Sequence, residues 1–134
     1  MLRDVAERDN VESVRRLWEA FDEGGVEAVL DIVDPDVEWS LFGTSGEAVH
    51  GHEGLRRYMA DTAARGDEID ASPYTYEALG DDAVLVSGHV RRRTVSGMTD
   101  TQLYWLYRFR NGRLFRFDAY QTRDEALRGA GEPA

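Results

Sequence analysis

Tyr104-Trp105-Leu106-Tyr107-Arg108-Phe109-Arg110, the dipeptide Asn111-Gly112, and Leu114-Phe115-Arg116-Phe117-Asp118-Ala119-Tyr120 form the stretch that decides how this chain folds. Two alternating runs joined by Asn-Gly predict a β-hairpin, because a type I′ turn needs two residues that tolerate positive φ. On the first run Leu103, Trp105, Tyr107 and Phe109 share the apolar face; Gln102, Tyr104, Leu106, Arg108 and Arg110 share the other. On the second, Phe115, Phe117 and Ala119 are apolar, opposed by Leu114, Arg116, Asp118 and Tyr120. With apolar faces inward, Asp118 points outward. A bulge, common in strongly curved sheets, would instead turn Tyr104 and Asp118 in.

Working backward, further strands are predicted at about Tyr74 to Leu79, Ala83 to Val95 and Asp100 to Arg110, ahead of Arg113 to Gln121. The breaks between them, Gly80-Asp81-Asp82 and Ser96-Gly97, are short, so neighbours must run antiparallel. Earlier still, Val11, Val14, Leu17, Trp18 and Phe21 fall at helical spacing behind a cap at Asp9 or Asn10, with Glu12 placed for a capping box. Gly24-Gly25 ends that helix. Val26, Val29, Leu30 and Val33 make a second stripe, stopped by Asp34-Pro35 because the residue before proline avoids the helical region. Val37 to Leu41 alternates as a strand. A loop from Gly43 to Gly51 leads to a third helix carrying Leu55, Tyr58, Met59 and Thr62. After the hairpin, Thr122 caps a last short helix, with Glu125 three residues on and Gly129 near its end. Helices followed by antiparallel strands predict an α+β fold in which helices cover one face of a curved sheet.

The chain has 134 residues, the size of one domain, residues 1–134. It has no cysteine, which excludes disulfides, thiolate metal sites and cysteine nucleophiles. No apolar run of membrane-spanning length appears, and the acidic N-terminus resembles neither a signal nor a transit peptide. A cytoplasmic protein is the default expectation. Acidic side chains number 26 against 16 basic ones, for a net charge of −10, and every basic residue is arginine. A surface so rich in carboxylates suits multimolar salt, where screening removes self-repulsion. This composition resembles that of salt-adapted intracellular proteins; an arginine-favouring, GC-rich genome is the other explanation. So negative a field argues against nucleic acid and anionic membranes as partners. Arg91-Arg92-Arg93 is the local exception, read as a solvated or ion-paired edge.

Leu17 to Gly24, Pro35-Asp36-Val37-Glu38-Trp39, His50-Gly51-His52-Glu53-Gly54-Leu55-Arg56, Arg110-Asn111-Gly112-Arg113 and the Tyr120 ending, in this order and spacing, resemble the SnoaL-like branch of the nuclear transport factor 2-like superfamily. The resemblance implies a cone-shaped α+β barrel, with N-terminal helices packed on a curved mixed or antiparallel sheet around an apolar pocket, often in a homodimer. It implies less about chemistry, because the superfamily includes polyketide cyclases, ketosteroid isomerases, epoxide hydrolases and non-catalytic binding modules. Catalytic members resemble one another in holding an acid or base in a dry pocket beside an oxyanion stabiliser. In SnoaL-type cyclases a histidine and an aspartate occupy these two strands, and the corresponding positions here fall at Trp105 and Ala119, neither able to exchange a proton.

Asp118 and His89 are the candidate catalytic residues. Asp118 serves as acid or base if it faces the pocket; otherwise it is an exposed carboxylate paired with an arginine such as Arg108. His89, between Gly88 and Val90, can act as a base through a neutral imidazole, or is a partly exposed or hydrogen-bonded strand histidine. For ligand binding the candidates are Trp18, Trp39, Tyr58, Trp105, Tyr107 and Phe117, whose rings serve equally as core. His50 and His52, with Glu53 or Asp36, do not spell out a metal-ligand set, so no metal and no cofactor are expected. The function expected is a pocket protein for a small apolar ligand; the alternative is a cofactor-independent isomerase, cyclase or hydrolase. Tyr104, Leu106, Leu114 and Tyr120 make the outer sheet face more apolar than solvation needs, so a homodimer covering it is expected.

Overall fold

The computed structural model describes residues 2–40, 49–64, 66 and 68–131. Leu41, most of the Gly43 to Gly51 loop and the side chains of Val26 and Thr62, all invoked above, lie outside the described residues. The elements are α1 (Leu2–Val29), β1 (Val33–Ser40), β2 (Val49–His50), α2 (Gly51–Ala64), β3 (Glu68–Ala78), β4 (Ala83–Thr94), β5 (Gly97–Arg110), β6 (Arg113–Tyr120) and α3 (Arg123–Gly131). One mixed sheet has the order β2-β1-β6-β5-β4-β3. Strands β3 to β6 form the expected antiparallel meander, and β1 lies parallel to β6. At the hairpin tip Asn111 has φ 54° and Gly112 φ 77°, the left-handed pair that a type I′ turn requires.

Helices α1 and α2 cover the concave face. Val14, Leu55, Val84, Val86, Leu103, Trp105, Tyr107 and Phe109 are buried there with Val37, Trp39 and Leu114. The first helix starts earlier than the cap pattern predicts. Asn10 is an interior helical residue, 6% exposed, and its Nδ2 donates to the Asp81 carbonyl at 2.9 Å. A side chain that reads as a cap thus fastens the helix to the β3–β4 turn. Gly25, at φ 70° and ψ −156°, breaks the helix where the glycine pair predicts, and a short helical segment continues to Val29. Phe21 is exposed rather than core. Asp34 and Pro35 lie inside β1, where the Asp34 carboxylate accepts the Asp36 N–H at 2.8 Å.

The hairpin contains a bulge, placed near its tip. Register moves from Arg108 opposite Arg116 to Phe109 opposite Leu114, leaving Phe115 without a partner. Leu114 therefore turns into the core, 1% exposed, and Phe115 turns out, the reverse of strict alternation. Beyond the bulge alternation resumes, so Phe117 and Ala119 face inward and Asp118 outward.

α3 packs against β5 and β6 on the convex face, the side opposite the other helices. Thr122 caps it, its Oγ1 accepting the Glu125 N–H at 3.2 Å and donating to the Glu125 carboxylate at 3.1 Å. Ala126 and Gly129 are buried, and Gly129 lies so close to the Tyr120 ring that a Cβ there would collide with it. Arg123 reaches across the sheet to Glu77 with contacts of 2.8 and 3.0 Å. Beneath the helix, Leu85 and Leu106 are 1% and 0% exposed. Of the four residues expected to form a partner-binding face, Leu106 is thus sealed within the chain and Leu114 belongs to the core.

Candidate functional site

The concave interior is organised by register. One row of directly paired residues runs Ala78, Val84, Tyr107, Phe117, Trp39 across β3, β4, β5, β6 and β1. Its three aromatic rings stack as a ladder: Tyr107 on Phe117 at 5.6 Å and 24°, Phe117 on Trp39 at 5.5 Å and 14°. Tyr58, from α2, meets Trp39 edge-on at 4.9 Å and 88°. The next row, Tyr76, Val86, Trp105, Ala119, presents Trp105 to Trp18 of α1 at 5.1 Å and 69°. Each such ring pair adds about 0.5–1.5 kcal/mol to ordinary burial. All six aromatic candidates lie on this side. Trp39, Trp105 and Tyr107 are buried, whereas Trp18, Tyr58 and Phe117 keep part of their surface open.

The Trp105 ring can reach over β4 because the residue diagonal to it there, the partner of Leu103, is Gly88. A Cβ at Gly88 would come within 2.8 Å of the Trp105 ring and 2.9 Å of Pro73 Cα. The register of β3 on β4 also shifts at Pro73.

The polar atoms of this interior are few. The indole nitrogens of Trp18 and Trp39 are both buried with no hydrogen-bond acceptor. An unmet N–H in a dry interior costs about 1–3 kcal/mol, so an acceptor brought to it gains more than it would in water. Burial pushes the Tyr107 hydroxyl far above the ordinary tyrosine range, and the neighbouring Tyr76 hydroxyl adds to the effect. The Trp18 N–H is near enough to oppose that shift yet falls outside hydrogen-bond geometry. Burial also raises Tyr76, over whose ring the Arg15 guanidinium sits at 4.4 Å. These phenols are neutral donors at any physiological pH.

The two acid/base candidates stand on the other side of the sheet. Asp118 is buried, not the exposed carboxylate expected, and its partner is Arg116 rather than Arg108. Arg116 Nε lies 2.9 Å and Nη2 3.4 Å from the two carboxylate oxygens. Glu38, 3.5 Å from Arg116, and His50, 3.7 Å from Glu38, extend the chain of charges over β6, β1 and β2. The Asp118 bond holds the Arg116 guanidinium above its already high ordinary value. His89 is exposed, 3.4 Å from Asp100 and edge-on to Tyr74 at 5.8 Å. Asp100 also takes Arg91 at 3.5 Å, and Arg93 takes Glu68 at 3.9 Å, so Arg91 and Arg93 of the run are ion-paired, on a strand that lies between β3 and β5 rather than at the sheet edge. His50 and His52 diverge: His52 Nε2 lies 3.3 Å from the Val33 carbonyl. Among the described residues no three His, Asp or Glu side chains converge as a metal site, and no helix is long and apolar enough to cross a membrane.

A cone of helices over a curved mixed sheet, with an aromatic concave face, has clear relatives. Residues 14–117 match the SnoaL-like domain model. The chain belongs to the SnoaL-like domain family. An NTF2-like protein of unknown function from Burkholderia pseudomallei is similar at 26% identity and TM-score 0.73, over 90% of this chain and 95% of that one. A candidate SnoaL-like polyketide cyclase from a Jannaschia species is 23% identical, with TM-score 0.68 over 95% of each chain. Rv0760c from Mycobacterium tuberculosis, solved with estradiol-17β-hemisuccinate, is 15% identical, with TM-score 0.69 over 87% of this chain and 95% of that one. No curated protein matches.

In this SnoaL-like domain Trp105 and Ala119 are direct partners and both face inward. Sequence reasoning passed over Tyr76 and Arg15, which flank Tyr107 and Trp18. Tyr76 was within reach, since it shares the strand period with Ala78; the helix placing Arg15 above it carries no such mark. Arg116 was equally legible as the partner of Asp118, because residues two apart on a strand share a face.

Proposed function

We propose that this SnoaL-like domain binds a small, planar, apolar molecule carrying a hydrogen-bond acceptor against its concave aromatic face. The observation that carries this reading is the Tyr107, Phe117, Trp39 ladder, edged by Tyr58, with the buried Trp39 N–H lacking an acceptor. The ladder supplies a continuous apolar surface, and the indole N–H supplies one directional contact. Trp105, in the next row of the same face, and Trp18 above it extend this surface in this reading. The complex of Rv0760c with a steroid ester supports small-molecule binding by this fold.

The second reading is a cofactor-independent isomerase, cyclase or hydrolase using Asp118 or His89, and the polyketide cyclase name of the Jannaschia neighbour favours it. Both side chains lie across the sheet from the ladder, engaged by Arg116 and by Asp100, which favours binding without proton transfer. A single cytoplasmic domain adapted to high salt accords with the −10 charge and the absence of lysine. A homodimer is part of the same proposal, resting on the half-buried Tyr104 and Tyr120; only monomer in light scattering at molar salt would remove it.

Menadione is a suitable probe: planar, with two carbonyl acceptors, and the chain has no cysteine for it to alkylate. It is expected to quench tryptophan fluorescence and to bind roughly 2–10-fold more weakly to Trp39→Phe, the equivalent of one neutral hydrogen bond. 2-Methylnaphthalene, which lacks the carbonyls, should bind both forms alike. Equal menadione affinity in the two proteins, or amide shifts confined to the convex face, would refute the reading.

A further inference from the structure

We propose that a second site, on the convex face between the hairpin tip and the end of α3, binds an aromatic carboxylate. The cleft has a volume of about 250 Å³ and is lined by Asp82, Ala83, Arg108, Phe109, Arg110, Phe115 and Ala130. It exists because of the bulge. Turning Phe115 outward gives the cleft an aromatic wall, and the Arg110 guanidinium lies over that ring, 4.6 Å from its centroid. Ala83 and Ala130 leave the room that larger side chains would fill. The Phe109 N–H donates to the Asp82 carbonyl at 2.8 Å, which pins the β3–β4 turn to the hairpin and fixes the inner end.

The charge pattern identifies the ligand class. Carboxylates outnumber guanidiniums 26 to 16, and five arginines elsewhere are paired: Arg56 with Glu27, Arg91 with Asp100, Arg93 with Glu68, Arg116 with Asp118, Arg123 with Glu77. Among the described residues Arg108 and Arg110 have no acidic partner within 4.0 Å. Of the same described residues, Arg15, Arg16, Arg57, Arg113 and Arg128 also lack an acidic partner but stand exposed outside this cleft. Arg108 is half-buried, so its charge has lost part of its hydration without gaining a counter-ion. Two guanidiniums present a donor fork matched to a carboxylate, while Phe115 and the alanine methyls accept a flat ring. Asp82 adds one negative charge to the lining and so disfavours dianions such as phosphate esters. A volume just under the usual range for small-molecule pockets suits a body of one or two rings.

The test is a titration of the full chain with 2-naphthoate, followed by amide chemical shifts and calorimetry. Shifts are expected at Ala83, Phe115 and Ala130, with affinity falling as salt rises. Arg108→Gln/Arg110→Gln should weaken binding at least tenfold, and neutral 2-naphthamide should bind the wild type at least tenfold more weakly than naphthoate. Ala130→Phe, which fills the cleft and keeps both arginines, should abolish binding; far-UV circular dichroism checks that each variant is folded. Trp39→Phe and saturating menadione should leave naphthoate binding unchanged, which separates this site from the concave one. Undiminished binding in the arginine double variant or in Ala130→Phe would overturn the proposal, as would equal affinity for the amide, or no shifts at those three residues.

Discussion

The two faces of the sheet solve the same burial problem by different means. On the concave face the covering helices are long enough for rings and aliphatic chains to meet across the whole interior, and the ladder from Tyr107 to Trp39 needs no charge. The convex face has only the nine residues of α3 to cover it. The outward row Glu77, Leu85, Leu106, Asp118 shows the result: two leucines buried in the middle, and at either end a carboxylate held by an arginine, Arg123 or Arg116. Where apolar cover ends, a buried strand position must be neutral or paired, since an isolated charge there costs several kcal/mol. Asp118 is therefore an acid with a structural partner before it is anything else.

Leu106→Ala tests that contrast most severely. If α3 seals the convex face, the substitution costs about 2–5 kcal/mol in denaturant unfolding, as for any buried leucine. A change within about 0.5 kcal/mol, typical of open surface, would dissolve the comparison. Asp118→Ala comes next. It leaves Arg116 with only Glu38, and about 1.5–3 kcal/mol is expected from the lost charge-assisted bonds. A neutral outcome would mean that the buried pair only balances its own desolvation, and the two faces would then differ less than their geometry implies.

The smallest effect at neutral pH belongs to the concave side and appears only in alkali. Tyr107 has its folded value raised above the ordinary tyrosine value by burial. Its contribution is complete below pH about 10 and is lost as pH rises beyond it, because the unfolded chain then releases a proton that the folded chain keeps. Tyr107→Phe should change stability at pH 7 by less than about 1 kcal/mol and should flatten the decline between pH 10 and 11 in denaturant titrations. An unaltered decline would show that this hydroxyl is wetter than its neighbours Trp18 and Tyr76 allow.

Most of the strand and helix pattern was legible because it is local. Asn111-Gly112 encodes its own turn, Thr122 with Glu125 encodes its own cap, and alternation places Trp105, Tyr107, Phe117 and Asp118 on their faces. What alternation missed involves distant partners. The first half of β3, Glu68 to Pro73, reads as too polar and proline-interrupted for a strand, yet it pairs with the arginine-rich end of β4. Asn10 looks like a cap because its acceptor, the Asp81 carbonyl, is 71 residues away. The six aromatic candidates were legible by type and facing; the unmet indole N–H groups were not, because satisfaction depends on every surrounding atom.

By itself, then, the sequence determined the strand order along the chain, the hairpin, the inward rings and the outward facing of Asp118, all properties set by backbone chemistry and a two-residue period. Tertiary structure alone decided that one extra residue at Phe115 would turn Leu114 into the core and open a cleft beside Arg108 and Arg110. It also decided that α3 would cross to the convex face and seal Leu106. The physical reason is that a bulge and a helix-docking site are chosen by the packing of whole surfaces, where no single residue carries the instruction.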